Sequence, residues 1–409
     1  MSAHAASESS PPSEAGVIRA TLWAGFFTNG VWDMLSIVVP LYAAAVGLSA
    51  ADIGFIVAAR SVLPTALSIH GGILMDYWGT RRVMLWLAVA CVLLPLLYPV
   101  SGWFLPLILL QLVLGLASSL AMAGAQTWSM QASSDTATLA RFSFVSRIGT
   151  FLGPLMIGAI WDFLGAWAAF GSIALWAAGI VVAAARSSDH RDAPLPIVSS
   201  ENQRPLAVLI PNWGAHRQAL ALSVIPAVAF VLAVSFLRNA PGAVQSSLYI
   251  VYLGDIGISG TLIGALVSIS ELFGILGSTM ATPMERLLRP RALVVACIAV
   301  SIAAISVTPL IAFSFALLAV GAGVRGAAQG LSQPLMYSLL GRAVPRAAHG
   351  ASVGLRNAVT RLASIITPAV MGIAAEAWGI ETSFYVIGAV LLLGTCALGV
   401  VARPLTRSA

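Results

Sequence analysis

Two carboxylates and a few arginines stand inside long apolar runs, where a charge needs a reason. Asp33 lies about twelve residues into one run and Glu271 about ten into another. At ~1.5 Å per residue this is about 15–18 Å along a helix. A charge that deep in a bilayer costs at least about 2.5–3.5 kcal/mol on insertion scales and must face a cavity or a partner. Carboxylates in such a place can take up and release protons near neutral pH, which is the chemistry of proton coupling. Asp33 and Glu271 are therefore the candidate proton-coupling residues. The alternative is that each acid is the permanent partner of a buried arginine, in which case removing either member of the pair is costly.

The arginines inside apolar runs are Arg60, Arg147, Arg238, Arg325, Arg356 and Arg361. Arg356 is close enough to the end of its run to snorkel. The other five against two acids leave the interior net positive, which favours an anionic solute held by a bidentate guanidinium fork. The candidate substrate-binding residues combine three of these arginines with uncharged polar groups: Asn29, Arg60, Gln111, Gln126, Arg238, Asn239, Gln245, Arg325, Gln329 and Gln333. Trp32, Trp128, Tyr249 and Tyr337 can supply aromatic walls. Arg147 and Arg361, about a third of the way along their runs, are expected at the inner mouth of the cavity. His70 is expected to be packed or interfacial. Cys91, Cys297 and Cys396 have no metal spacing and are expected to behave as buried small hydrophobes. With no metal cluster, nucleophile–base pair or phosphate loop, no cofactor and no enzymatic chemistry are expected.

These side chains need a scaffold that lives in lipid. The chain is 59% hydrophobic and 9% charged, against about 25% charged for soluble proteins. About 20 apolar residues span a bilayer, and twelve such runs occur, at 21–46, 53–74, 83–101, 104–130, 142–161, 167–185, 219–253, 261–283, 292–309, 311–340, 352–374 and 382–402. The net charge of +6 comes with 21 basic residues that are all arginine, with no lysine, and their placement answers to a membrane rather than to nucleic acid. Fifteen of the 21 arginines, among them Arg19, Arg81, Arg82, Arg141, Arg186 and Arg286, fall in the tails or in loops on one side. The loops on the other side hold Asp52, Asp162, Asp255, Glu376 and Glu381 and no arginine. By the positive-inside rule both termini are expected in the cytoplasm. No cleaved signal segment is evident at the start. The expected organisation is a disordered tail (1–18), a six-helix bundle (19–185), a cytoplasmic linker rich in Pro and charge (186–217), a second six-helix bundle (218–403) and a short tail (404–409).

The two halves repeat. At an offset of 210, Asn29 falls on Asn239, Tyr42 on Tyr252, Gly47 on Gly257, Ser49 on Ser259, Gly54 on Gly264 and Arg81 on Arg291. At an offset of 214, Arg147 falls on Arg361, Pro154 on Pro368, Gly158 on Gly372, Asp162 on Glu376 and Gly165 on Gly379. Parallel repeats of this kind place a solute site between the halves near the midplane, worked by rocking one half against the other.

Gly72, Asp76, Gly79, Arg81 and Arg82, in the loop between the second and third runs, resemble the signature of the major facilitator superfamily. The resemblance implies an all-α integral membrane fold of twelve transmembrane helices in two parallel six-helix repeats. It also implies a cytoplasmic gate made of Gly72, Asp76, Gly79, Arg81 and Arg82, to which Arg147 and Arg361 are added as candidates. The second-half counterpart is degraded, with Thr282, Arg286 and Arg289 in place of Gly72, Asp76 and Gly79. Gly149, Gly153, Pro154 and Gly158 are similar to a motif of the proton-coupled drug antiporters of this superfamily, as are Asp33, Pro40 and Tyr42. The fourth run departs from that branch, with Gln111 where many antiporters carry a basic residue. The expected activity is alternating-access transport of a small organic solute, proton-coupled and outward, by a monomer in a bacterial inner membrane. The alternative is an importer or exchanger of organic anions.

Overall fold

The computed structural model describes residues 14–132, 135–187, 222–224, 226–343 and 349–401. The expected tails at 1–13 and 402–409 and nearly all of the expected linker lie outside the described residues. The described chain is helical: α1 (Glu14–Ala45), α2 (Ala50–Trp78), α3 (Thr80–Leu93) continued by a 3-10 segment (Leu94–Val100), α4 (Phe104–Ala132), α5 (Thr136–Arg186), α6 (Pro226–Gln245), α7 (Leu248–Asp255), α8 (Gly260–Thr279), α9 (Ala281–Leu287), α10 (Pro290–Ser306), α11 (Thr308–Ile311), α12 (Phe315–Ala343), α13 (His349–Trp378) and α14 (Ile380–Val401).

Among the described residues nine helical spans are long and apolar enough to cross a membrane, and Pro290–Ser306 is a shorter apolar helix. With α5 counted twice and α12 added, the path accommodates twelve crossings. The 51-residue α5 crosses twice, because Gly165 (φ 76°, ψ −174°) breaks its helical path. The pairs α6–α7, α8–α9 and α10–α11, and α3 with its 3-10 segment, each make one crossing. Several expected continuous runs are interrupted, the third and the seventh among them. Pro95 and Pro99 remove amide donors, and the end of the third run tightens to 3-10. The run expected at 219–253 has its long helix begin at Pro226 and breaks at Ser246–Ser247. Interrupted backbone is tolerated at membrane depth where it is buried in protein, and Ser247 is fully buried, its hydroxyl donating to the Ala243 carbonyl. Large apolar side chains such as Leu175, Phe313 and Leu393 point outward, as lipid requires. Cys91 and Cys297 are buried, but Cys396 is exposed, because it lies on a face of α14 that no other helix covers.

The repeat seen in the sequence is a repeat of turns. Gly47 and Gly257 have φ of 81° and 85°, and Gly165 and Gly379 have φ of 76° and 84°, a region that side-chain-bearing residues avoid. After α1, Leu48 N–H donates to Ala43 O and Gly47 N–H to Ala44 O. After α7, Ile258 donates to Leu253 and Gly257 to Gly254 in the same pattern, a helix end that satisfies the otherwise orphaned carbonyls. Ser49 and Ser259 then cap α2 and α8.

Equivalent helices pack alike in the two halves: α1 on α5 and α2 on α4 in the first, α6 on α13 and α8 on α12 in the second. Glycine sets the closest of these. A Cβ at Gly115 would lie 2.1 Å from Arg60 O, and one at Gly330 1.9 Å from Gly274 O. Such small-residue contacts are how helices associate in lipid.

In the signature loop, Gly79 (φ 86°) turns α2 into α3. Arg81 donates Nε–H to Ala184 O (3.2 Å) and an Nη2–H to Ala185 O (2.9 Å), so it closes the free carbonyls at the end of α5 in its own half. Arg81→Ala is expected to lower stability by about 1–2 kcal/mol, read as a fall in the melting temperature in detergent. Arg82 is exposed. At Gly72 nothing lies within 4 Å of where a Cβ would sit. The Asp76 side chain lies outside the described residues.

Candidate functional site

Asp33 on α1 and Glu271 on α8 belong to opposite halves, are both half-buried, and lie within electrostatic range of one another. Arg60 is in range of Asp33, while Arg147, Arg325 and Arg238 are in range of Glu271. Among the described residues, no hydrogen bond or ion pair closes on either carboxylate. The interior thus holds one acid from each half within electrostatic range of the other, each with guanidinium groups near but not joined to it.

Several of the arginines are tied down by neutral groups. Arg60 is buried, donates to the Trp32 carbonyl, and holds its guanidinium carbon 3.5 Å from the centre of the Trp32 ring, a cation–π contact. It is therefore fixed to the residue preceding Asp33. Arg238 donates Nε–H to the Ser332 hydroxyl (2.9 Å), and Nη2–H to the Gln329 carbonyl (2.8 Å) and, more weakly, to Gln333 Oε1 (3.5 Å). Asn239 donates to Thr360 O (2.9 Å) and Ser364 Oγ (2.7 Å). Together they lock α6 to α12 and α13. Arg361 reaches from α13 to the Ser119 hydroxyl on α4 (2.6 Å), a bond between the halves. Arg356 donates to the Tyr337 hydroxyl and to Asn357, a protein partner in place of the expected snorkel. Arg147 is half-buried and, among the described residues, its guanidinium makes no hydrogen bond.

The expected polar lining is divided. Arg238, Gln329 and Gln333 come together, and Gln329 Nε2 is buried without a protein partner. Gln111 and Gln245 are buried, with Gln111 Oε1 unpartnered. Asn29 turns back to Gly25 O on its own helix (2.8 Å), Gln126 is exposed, and Arg325 is enclosed within its own half at 1% exposure. The hydroxyls of Ser119, Ser332 and Ser364, which complete the arginine and asparagine contacts, were not among the expected residues. Serines are too common in these helices for position alone to mark them.

The ends that carry the acidic loops are joined by two symmetry-related crossings. In one, α2 meets α13, and a Cβ at Gly54 would lie 2.4 Å from Pro368 O, while one at Gly372 would lie 2.7 Å from Ala50 O. In the other, α5 meets α8, with Gly264 against Pro154 O (2.2 Å) and Gly158 against Gly260 O (2.0 Å). A carboxylate completes each crossing at a helix N-terminus. Asp162 accepts from Gly260 N–H (2.8 Å), Thr261 N–H (2.7 Å) and the Thr261 hydroxyl (2.6 Å), and Glu376 accepts from Ala51 N–H (3.1 Å). Negative charge is favoured there by the exposed amides and the helix dipole. Four of the pairs that match between the repeats, Gly54 with Gly264, Pro154 with Pro368, Gly158 with Gly372 and Asp162 with Glu376, thus close this end. Asp162→Asn together with Glu376→Gln is expected to shift the population away from this closed end by about tenfold, the effect of losing ~1.4 kcal/mol. The shift is read as faster labelling of a cysteine placed at Thr261 in a cysteine-free background.

The model of the Major Facilitator Superfamily matches residues 21–243 and 231–409. Among solved structures, the chain is similar to a mutant of the nucleoside transporter NupG, with a TM-score of 0.77 at 14% identity over 94% of this chain and 99% of that one. It is also similar to a mutant of the peptide transporter POT in complex with sulfate, at 0.76 and 16% over 95% of each chain. A third is a bacterial homolog of the human lysosomal transporter Spinster in an inward-facing, unoccupied conformation, at 0.70 and 13% over 95% and 97%. No curated protein sequence matches the chain. The helices, the repeated turns and the family match agree: the chain belongs to the Major Facilitator Superfamily and is a multi-pass membrane transporter of a small solute, not an enzyme.

Proposed function

We propose that the protein is a proton-coupled transporter that exports a small organic solute by alternating access, with Asp33 and Glu271 carrying the protons. The observation that carries this reading is the pair of half-buried acids, one on each half, within electrostatic range of one another and without an ion pair. Two carboxylates that feel each other's charge do not readily ionise together, so their protonation depends on how far apart the halves stand. That links proton number to conformation, which coupling needs. Transport between the halves then proceeds by rocking them about the central site, as in parallel-repeat designs. By the positive-inside rule the arginine-rich ends are cytoplasmic. The closed acidic end then faces outward, which we read as the inward-facing state of a monomer in a bacterial inner membrane. Export rests on the antiporter-like motif, whose Pro154 and Gly158 lie in the closure.

A second reading is favoured by one observation. Arg147 offers an unengaged guanidinium beside Glu271 and Arg238, which suits an organic anion that is imported or exchanged. The solutes named for similar structures, a nucleoside and peptides, are polar organic molecules, as a lining of this composition would take. Melting temperatures measured against carboxylates, phosphorylated metabolites, zwitterions and lipophilic cations separate the readings. A ligand of the folded state at 100 times its Kd stabilises by about 2.7 kcal/mol. A shift that depends on Asp33 or Glu271 but survives Arg147→Gln supports proton-coupled export. A shift confined to anions and lost in Arg147→Gln supports the anion carrier.

A further inference from the structure

Arg325 has the most enclosed guanidinium of the described residues. It is 1% exposed, and none of its three nitrogens has a protein acceptor. The Tyr249 ring lies 5.6 Å from its guanidinium carbon. Glu271 is within electrostatic range but forms no ion pair with it. A buried cation left in this state is strongly unfavourable, and buried donors are ordinarily satisfied. Beside Arg325 is a cavity of about 10 Å³ walled by Tyr249, Ala304, Ile305, Thr308 and Leu318. This is the space of one water-sized guest. The Thr308 hydroxyl donates its one proton to Ile305 O and has none to offer a guest, so the donors facing the cavity come chiefly from Arg325.

The geometry points to a binding site for one small monovalent anion of the halide class, held by Arg325 within the second half and apart from the central acids. The guanidinium fork supplies charge and several donors, and a largely apolar wall with room for one water-sized guest favours a small ion over sulfate and carboxylates. Such an ion is a resident counter-charge of the second bundle, and its binding is independent of which solute the protein carries.

The test uses the purified full chain in detergent at fixed pH and ionic strength, exchanged into gluconate and titrated with chloride, bromide or sulfate while the melting temperature is followed. Wild type is expected to show a saturable rise of a few degrees with chloride and bromide and none with sulfate, since a ligand bound only by the folded state raises its stability. Arg325→Gln and, separately, Ala304→Val, which fills the cavity while leaving the arginine in place, are expected to lose the halide response. Loss in Ala304→Val alone is sufficient support if Arg325→Gln does not fold. A wild-type response that is absent, is equal for sulfate, or persists in Ala304→Val overturns the site. The readout requires no transported solute, so its failure leaves the transport reading untouched.

Discussion

Replacing Asp33 by Asn, or Glu271 by Gln, is expected to abolish pH-driven accumulation of solute in proteoliposomes while solute exchange at equal concentrations stays within about tenfold of wild type. A one-unit pH gradient is worth about 1.4 kcal/mol, a factor of ten in concentration for one proton per solute. Wild type should approach that ratio, and either variant should fall to unity. The reason is geometric. Each acid lies on its own half without an ion pair, so a neutral isostere removes the titrating group without stranding a charge in a salt bridge. If the acids were structural partners of Arg60 or Arg238, the same variants would unfold or aggregate, because breaking a buried pair costs about 3–5 kcal/mol. Arg60 and Arg238 are instead held by Trp32 and by Ser332 and Gln329. The folded variants are therefore expected to elute as wild type does.

Gly54→Val and Gly264→Val are expected to open the acidic end. Each added side chain would start 2.4 Å from Pro368 O or 2.2 Å from Pro154 O, and a backbone carbonyl within a helix cannot step aside. Overpacking costs about 1–3 kcal/mol, and a carbonyl contact this short puts it above ~1.4 kcal/mol, about tenfold or more in the population of the closed state. Both contacts lie between the halves and neither lies within one. The strain is relieved by rocking rather than by unfolding. The measurement is the rate at which an impermeant thiol reagent labels Ser268→Cys in a cysteine-free background. Ser268 donates its hydroxyl to Phe151 O across the same crossing (2.7 Å), so the closed state should protect it. Labelling should accelerate at least about tenfold in either variant. Unchanged labelling would mean that the halves do not rock about these crossings.

The fold was legible because lipid imposes a coarse code: length, hydropathy and arginine placement are sufficient for twelve crossings in two equivalent halves. The matches at offsets of 210 and 214 carried more than homology. Gly54, Pro154, Gly158 and Asp162, with their counterparts, proved to be the closure itself, since both crossings face the same steric demand. The break at Ser246–Ser247 was hidden because apolar residues continue beyond it. Arginine partners were hidden for a different reason. Hydropathy gives depth but not the rotation of a helix about its axis, so it could not show that Arg238 bonds to serine and glutamine or that Arg325 turns into its own bundle. Arg81 was expected in a gate, and its bonds to the last carbonyls of α5 were not legible from the loop sequence.

The central claim is that protons move with the solute through Asp33 and Glu271. The direct measurement is the internal pH of proteoliposomes, followed with a trapped dye, when the stabilising solute found by melting temperature is added to one side. The account predicts a solute-dependent proton flux opposite to the solute in wild type and none in Asp33→Asn or Glu271→Gln. Solute movement with no change in internal pH, or an undiminished proton flux in both variants, would contradict it.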